Sequence, residues 1–434
     1  MDTTGTTPPD AAAPEAVEVE AHPLTGARAS GVQLHITSLP GGRLGQPARD
    51  FVDWLADAGQ SVWQVLPVSV PDQHRSPYKS PSAFAASAAL LEEPDAPVRA
   101  EELEAFAERE AYWVDSWTAY GGDLADQVRF DREWSSLRAY ARERGIQILG
   151  DVPIYVAPDG ADERAWPQFF RDDAVAGCPP DAYAATGQLW GNPLYRWDVL
   201  AQDGYRWWVE RLRRTFALFD LVRVDHFRGF AAYWAIPAGD ETALNGQWET
   251  GPGRAVFDAA REVLGPLPVL AEDLGDIDQP VIDLRKALGF PGMAVLQFGF
   301  EPAYDYNTHD LANLTGDQVV YTGTHDNDTV AGWWAELPEH RRELVRAAWR
   351  EQRVAADGDA EPGWAMIELA LGTPCGLAMM QAQDVLGLGS AARMNAPGIE
   401  GGWSWQLDAG ALTPQHAARL RDLTKASGRG RVQA

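Results

Sequence analysis

The chain has 434 residues, 45% hydrophobic and 23% charged, enough for one large barrel with insertions or for two or three average domains. Lys and Arg number 36 against 63 Asp and Glu, a net charge of −27. A surface this acidic repels nucleic acid, anionic membranes and polyanionic substrates, so a neutral substrate is expected, with no nucleic-acid and no membrane partner. The few Lys (Lys79, Lys286, Lys425) beside abundant Ala, Gly and Asp read as genome bias or salt adaptation. Cys178 and Cys375 offer neither metal spacing nor a disulfide framework, which points to reduced thiols and a cytoplasmic protein. Residues 1–30 lack the basic start and apolar stretch of a signal peptide. Residues 1–28, rich in Pro, Ala, Thr and Glu, are expected to be a disordered acidic tail.

Ordered pattern begins with a strand-like run at Val32–Ile36, followed by a helix over about 48–58 that places Phe51, Val52, Trp54 and Leu55 on one face. A second strand run, Ser61–Val68, leads into a polar loop reaching Phe84, and residues 98–145 are mostly helical in pattern. Ile146–Val156 is the third strand. A long loop with Pro179-Pro180 and Gly191-Asn192-Pro193 comes next, and a helix over Asp203–Phe219 precedes the fourth strand, Leu-Val-Arg-Val-Asp225. Helices near Ala255–Leu264 and Gln279–Leu288 flank the fifth, Pro-Val-Leu-Ala-Glu272. Ala294–Phe300 is the sixth, and Val-Val-Tyr-Thr-Gly-Thr-His-Asp326 the seventh. Helices then run to about Leu371, Cys375–Leu388 is the eighth strand, and a helix near Pro414–Ala426 closes the pattern. Strands alternating with helices argue for a parallel sheet, and eight such units for an α/β fold of the closed (β/α)8, or TIM, barrel type. Residues 29–430 are then one catalytic barrel. It carries a helical insertion at about 85–145 and loop insertions at about 157–200 and 238–253.

Asp225, Glu272 and Asp326 each stand where an apolar run stops and a polar turn begins, at the ends of strands four, five and seven. That end of a barrel is where chemistry is built. Alternation puts Arg223 on the same strand face as Asp225, roughly 6–7 Å away, where a guanidinium favours the ionised carboxylate that a nucleophile needs. The bland alternative is a structural Arg–Asp pair at the rim. Glu272 is followed by Asp273; a carboxyl in a partly apolar cleft beside other carboxylates has its pKa raised, which suits a general acid, unless Glu272 merely caps a helix. Asp326 lies in Thr324-His-Asp-Asn-Asp328-Thr, where Asp328 is the better helix cap and His325 has the chemistry to hydrogen-bond a neutral polyol. Two carboxylates across a glycosidic bond are the equipment of glycosyl chemistry, and a closely spaced pair gives retention through a glycosyl-enzyme. No sequence feature by itself decides between hydrolysis and transfer. The 18 Trp outnumber the 14 Phe, and several fall in loops (Trp190, Trp248, Trp403, Trp405, with Tyr78, Tyr183 and Tyr195). Most buried Trp serve a core, yet Trp190-Gly191 and Gly402-Trp403 place an indole beside Gly in a loop, suited to stacking on sugar. A metal site from His325, Asp326, Asp328 and Glu272 is the weaker reading, and phosphate loops, dinucleotide turns and serine elbows are missing, so neither metal nor cofactor is expected.

With these residues in place, the chain resembles the 4-α-glucanotransferases of the amylomaltase (disproportionating enzyme) family, glycoside hydrolase family seventy-seven, from about residue 31 to 425. The likeness rests on long motifs in order: Leu34-His-Ile-Thr-Ser-Leu-Pro-Gly41, Trp63-Gln-Val-Leu-Pro67, Ser76-Pro-Tyr-Lys-Ser80, Gly150-Asp-Val-Pro-Ile-Tyr155 and Pro179-Pro-Asp-Ala-Tyr183. Thr186-Gly-Gln-Leu-Trp-Gly-Asn-Pro193, Phe219–Gly229, Ala271-Glu-Asp-Leu-Gly275, Gly323-Thr-His-Asp-Asn-Asp328 and Met394-Asn-Ala-Pro397 continue it. The resemblance implies a retaining transfer of α-1,4-glucan segments to glucose or maltodextrin acceptors. A glucan hydrolase and a non-catalytic glucan-binding protein are the alternatives. It makes Asp225 the nucleophile, Glu272 the general acid/base and Asp326 the transition-state stabiliser. Arg223, His226 and His325 match positions lining the reacting centre, and Tyr78, Asp181, Gln188, Trp190 and Asn395 match substrate-contact blocks. By the same likeness Ala238–Gly253 is a flexible loop over the cleft, and the helical insertion between Tyr78 and Gly150 is shorter than usual.

Overall fold

The computed structural model describes residues 22–24, 26–180, 184–301, 307–397 and 402–430. Among them are β1 Ala29–Gln33, β2 Val62–Gln64, β3 Gln147–Val152, β4 Phe170–Cys178, β5 Gln188–Tyr195 and β6 Leu221–Val224. The set continues with β7 Ala232–Pro237, β8 Gln247–Thr250, β9 Val269–Ala271, β10 Gly292–Val295, β11 Gln318–Tyr321 and β12 Leu377–Gln381. Eight of these form one parallel sheet in the order β10-β11-β12-β1-β2-β3-β6-β9. Its outer strands meet: the Ala271 N–H donates to Pro291 O at 2.9 Å, and the Met293 N–H to Asp273 Oδ1 at 2.7 Å. The sheet therefore closes on itself, with each strand beside its successor, the topology of a (β/α)8 barrel.

Strand alternation divides the core in two. Ala29, Val62, Leu149, Leu221, Leu270, Met293, Val319 and Leu377 fill the lumen. Residues of opposite parity, such as Val32, Trp63, Ile148, Val222, Val224 and Ala378, pack outward beneath the helices. Short buried strands with apolar residues on both faces are what a barrel wrapped by helices requires. Helix Ala255–Leu264, helix Gln279–Leu288 and helix Pro414–Ala426 occupy the segments their periodicity predicts.

The insertion after β2 holds helices Ala100–Arg109, Val114–Tyr120 and Leu124–Glu143. It docks on barrel helix Arg206–Leu218 through Glu110, which is fully buried. Its carboxylate accepts from Trp113 Nε1 at 2.9 Å and Arg213 Nη2 at 2.8 Å, with Arg109 at 3.2 Å and Arg214 at 3.7 Å.

Several boundaries differ from the sequence expectation. The stretch read as loop between residues 157 and 200 contains β4 and β5, which join β7 and β8 in a four-stranded antiparallel sheet ordered β5-β4-β7-β8. Register shifts between β4 and β5, and Pro193 and Gly191 within the pairing strand, erase the alternation that would have announced them. Ala294–Phe300 is strand only to Val295, after which Leu296–Gly299 turns helical. Likewise the eighth strand ends at Gln381 and gives way to helix Ala382–Val385. The helix expected over Asp203–Phe219 spans Arg206–Leu218, entered through Tyr205 at φ 55°, and a separate short helix, Trp197–Gln202, precedes it. Of the expected tail, residues 1–21 and 25 lie outside the described residues, while His22 and Leu24 are buried and Leu24 packs with the lumen residues, so the packed chain starts before residue 29. No helix among the described residues is long and apolar enough to cross a membrane.

Candidate active site

Because Leu221 faces the lumen, Arg223 two residues on does too, and it is 3% exposed. Its Nη2 lies 2.8 Å from Asp225 Oδ1 and its Nη1 2.6 Å from Asp151 Oδ2. One guanidinium thus ties acids from neighbouring strands β3 and β6. The Tyr78 hydroxyl donates to the same Asp151 oxygen at 2.8 Å. Burial works against the Arg223 charge, but Asp151 and Asp225 outweigh it and hold the guanidinium firmly protonated. For Asp151, burial pushes the carboxyl up, with Arg223 opposing and Asp225 adding to the rise. Asp151 belongs to the site and was not singled out among the sequence candidates. The rule that found the other acids, a carboxylate where a buried strand ends, applies to Gly150-Asp-Val-Pro as well.

Glu272 follows β9, and its carboxylate is gripped by backbone. His226 N–H donates to Oε2 at 2.6 Å and Leu274 N–H to Oε1 at 3.0 Å. The first bond brings the carboxylate to the residue adjoining Asp225. His226 sits at φ 49°, a left-handed conformation that costs a non-glycine residue energy and recurs at functional sites. Burial drives the Glu272 pKa up to about 8; Arg223 opposes the rise, Asp225 reinforces it, and the two N–H donors oppose it. A carboxyl that keeps its proton past neutrality is suited to donate one. Asp273, the adjacent acid, turns to Arg285 at 3.0 Å across the barrel seam.

Asp326 lies beyond β11. Asn395 Nδ2 donates to its Oδ1 at 2.6 Å, His325 Nε2 is 3.3 Å from its Oδ2, and Arg393 Nη2 donates to its carbonyl at 3.0 Å. The Asn395 N–H closes the loop on His325 O at 3.1 Å. Asp328 is not the helix cap: Thr329 accepts from Gly332 N at 3.1 Å in that role. Asp328 accepts from Thr329 N at 2.8 Å and from Ser390 Oγ at 2.7 Å, bracing the loop one residue earlier.

Aromatic walls complete the site. Tyr78 stacks on His325 with centroids 5.1 Å apart, and Trp403 leans on both, at 5.6 Å from Tyr78 and 5.7 Å from His325. Opposite, Trp190 meets His226 edge-on at 4.8 Å, and its Nε1 donates to Gln188 Oε1 at 3.1 Å. Burial lowers His226 to about 4 and also lowers His325, so both rings are neutral at neutral pH and able to donate and accept. The structure therefore brings together Asp225, Glu272, Arg223 and His226, and Asp326, His325, Tyr78 and Asn395; Asp181 lies outside the described residues. Among the described residues no group of three or more His, Cys, Asp or Glu is arranged to hold a metal ion.

The family described as 4-alpha-glucanotransferase, glycoside hydrolase family 77, matches residues 34–115 and 123–412, the break falling in the helical insertion. A 4-alpha-glucanotransferase of Thermus thermophilus is 40% identical, with 93% of this chain and 99% of that protein covered. One from Streptococcus pneumoniae is 38% identical over 92% of this chain and 96% of its own length. Among solved structures, amylomaltase from Streptococcus agalactiae in complex with acarbose superposes with a TM-score of 0.85 at 30% identity, covering 93% of this chain and all (100%) of that one. Amylomaltase from Corynebacterium glutamicum shares the fold, with a TM-score of 0.78 at 18% identity over 94% of this chain and 76% of that one. The chain belongs to the 4-alpha-glucanotransferase family, the amylomaltases, enzymes that act on alpha-1,4-glucans.

Proposed function

We propose that this enzyme moves α-1,4-glucan segments onto the 4-hydroxyl of glucose or a maltodextrin by double displacement with retention. The carrying observation is the pairing of Arg223-bound Asp225 with Glu272, whose carboxylate is held by the N–H of His226. In the first step an Asp225 oxygen attacks the anomeric carbon, the bond to the leaving 4-oxygen breaks, and Glu272 gives that oxygen its proton. A glycosyl ester on Asp225 results. In the second, the acceptor 4-hydroxyl attacks the same carbon, its proton passes to Glu272, and the ester bond breaks to free Asp225. Two inversions amount to retention.

Asp326, fixed by Asn395, accepts from sugar hydroxyls beside the reacting carbon, bonds that strengthen as positive charge develops there. Neutral His226 and His325 hydrogen-bond a neutral polyol without adding charge. Tyr78, Gln188 and Trp190 supply flat and polar contacts around the reacting residues, and Asp181 is carried in the same set by family likeness. A cytoplasmic location goes with this reading. Maltotriose tests it. Transfer yields a ladder of longer dextrins together with glucose; glucose and maltose with no longer product would refute transfer.

A further inference from the structure

Six large apolar side chains are exposed among the described residues, and three gather on one element: Leu189 at 39%, Leu244 at 54% and Trp248 at 42%. They surround Trp234 on the antiparallel sheet. Gly177 of β4 lies opposite Leu189 of β5 and Trp234 of β7, and Trp234 lies opposite Trp248 of β8. Residues directly opposite in antiparallel strands share a face, so Leu189, Trp234 and Trp248 form one row across four strands, roughly 14 Å long. Leu244 enters from the loop between β7 and β8, which is pinned over this face. Trp234 Nε1 donates to Ala243 O at 3.0 Å, and the Ala243 N–H donates to Thr186 O at 3.1 Å.

Trp248 is held rather than loose. The Arg228 guanidinium lies 3.9 Å from the ring centroid, and Trp234 meets it edge-on at 5.3 Å. Arg228 is itself 7% exposed and anchored by Asp276 O and by Asp278 at 3.3 Å. One face of the indole is thus backed by a fixed cation while the ring stays open to solvent, and exposed Asn245 lies in the loop that leads into the strand. A rigid flat apolar face flanked by polar side chains is what a pyranose binds. The patch also adjoins the active site, because Arg228, which backs Trp248, is three residues from Asp225. A second copy of the chain is a poor occupant, because each carries a net charge of −27 and copies repel. A neutral glucan meets no such barrier.

We propose that Leu189, Trp234, Leu244 and Trp248 form an outer glucan-binding subsite, which holds the part of a long α-1,4-glucan extending beyond the residues that react. The proposal rests on the glucan-transfer reading above. Its test compares wild type, Trp248→Ala and Trp248→Phe on maltotriose and on long maltodextrin, with molecular mass measured across concentration. The expected result is a fall of about three- to tenfold in kcat/KM on long maltodextrin for Trp248→Ala, the size of one lost aromatic stacking contact. Trp248→Phe recovers most of it, and transfer from maltotriose stays within about twofold, below the loss of one such contact. An equal loss on both substrates, no loss on either, or a changed mass in place of a chain-length effect overturns the subsite. If wild type fails to lengthen maltotriose, the transfer reading itself falls, and that outcome is visible before any variant is made.

Discussion

Asp151→Asn probes the charge arrangement under Asp225, the proposed nucleophile. Asp151 is 3% exposed, and its Oδ2 receives both Arg223 at 2.6 Å and the Tyr78 hydroxyl at 2.8 Å. Asparagine preserves the shape and one acceptor but removes the charge. Buried hydrogen bonds to charged groups contribute about 1.5–3 kcal/mol each; with one acceptor retained, roughly 2–4 kcal/mol of positioning energy is lost. If that loss appears in the transition state, kcat/KM falls about 30- to 1000-fold, at 1.36 kcal/mol per factor of ten. Most of the fall belongs to kcat, since the pair orients Asp225 rather than the glucan. A second effect has a definite sign. With Asp151 neutral, the Arg223 charge is less offset and favours ionised Glu272, so the alkaline limb moves to lower pH. Initial rates of glucose release from maltotriose across pH, with a thermal melt as the folding control, measure both. A folded variant within about threefold of wild type and with an unmoved alkaline limb would refute the reasoning.

In wild type, kcat/KM should decline above pH about 8, because Glu272, as the proposed general acid, must carry its proton to donate it and burial raises its pKa to about 8; a profile that stays flat well beyond that pH contradicts the assignment. Asn395→Ala frees Asp326 from its 2.6 Å donor and should cost about tenfold or more in kcat at unchanged fold, read by steady-state kinetics on maltotriose. Glu110→Ala strands Arg213 and Arg214 against the helical insertion and should destabilise by about 3–5 kcal/mol, read by chemical denaturation. Burial raises the Glu110 pKa, but its Arg and Trp partners outweigh that and leave it below the usual carboxylate value. Its stabilisation is therefore present above the unfolded pKa of about 4.3 and is lost as pH falls through the folded value, so the gap between wild type and variant should close in strong acid.

The barrel was legible because its strands are short, doubly apolar and stopped by acids. Leu-Val-Arg-Val-Asp225 carries its fold and its chemistry in the same five letters: Leu221 and Arg223 enter the lumen, Val222 and Val224 face the helices, and Asp225 ends on the rim. The antiparallel sheet was not legible. It pairs segments far apart in the chain, and in β5 Gly191, Asn192 and Pro193 speak for a loop until pairing with β4 overrides them. Helix capping at 328–329 was missed by one residue, since Asp and Thr both cap well and only the backbone angle chooses between them. The raised pKa of Glu272 follows the expectation of a carboxyl in an apolar cleft beside other carboxylates, burial and Asp225 supplying the rise; which acid would be the neighbour needs the third dimension.

The role of Asp225 is tested most directly by trapping the glycosyl-enzyme. In Glu272→Gln, a maltosyl fluoride donor needs no proton for its leaving group, while the second step loses its base. The ester should therefore accumulate. Intact-mass and peptide mapping are predicted to find one maltosyl group, on the peptide carrying Asp225. A label on the peptide of Asp326 or on the peptide that holds the substitution, or turnover of the fluoride with no labelled peptide at all, would contradict the account.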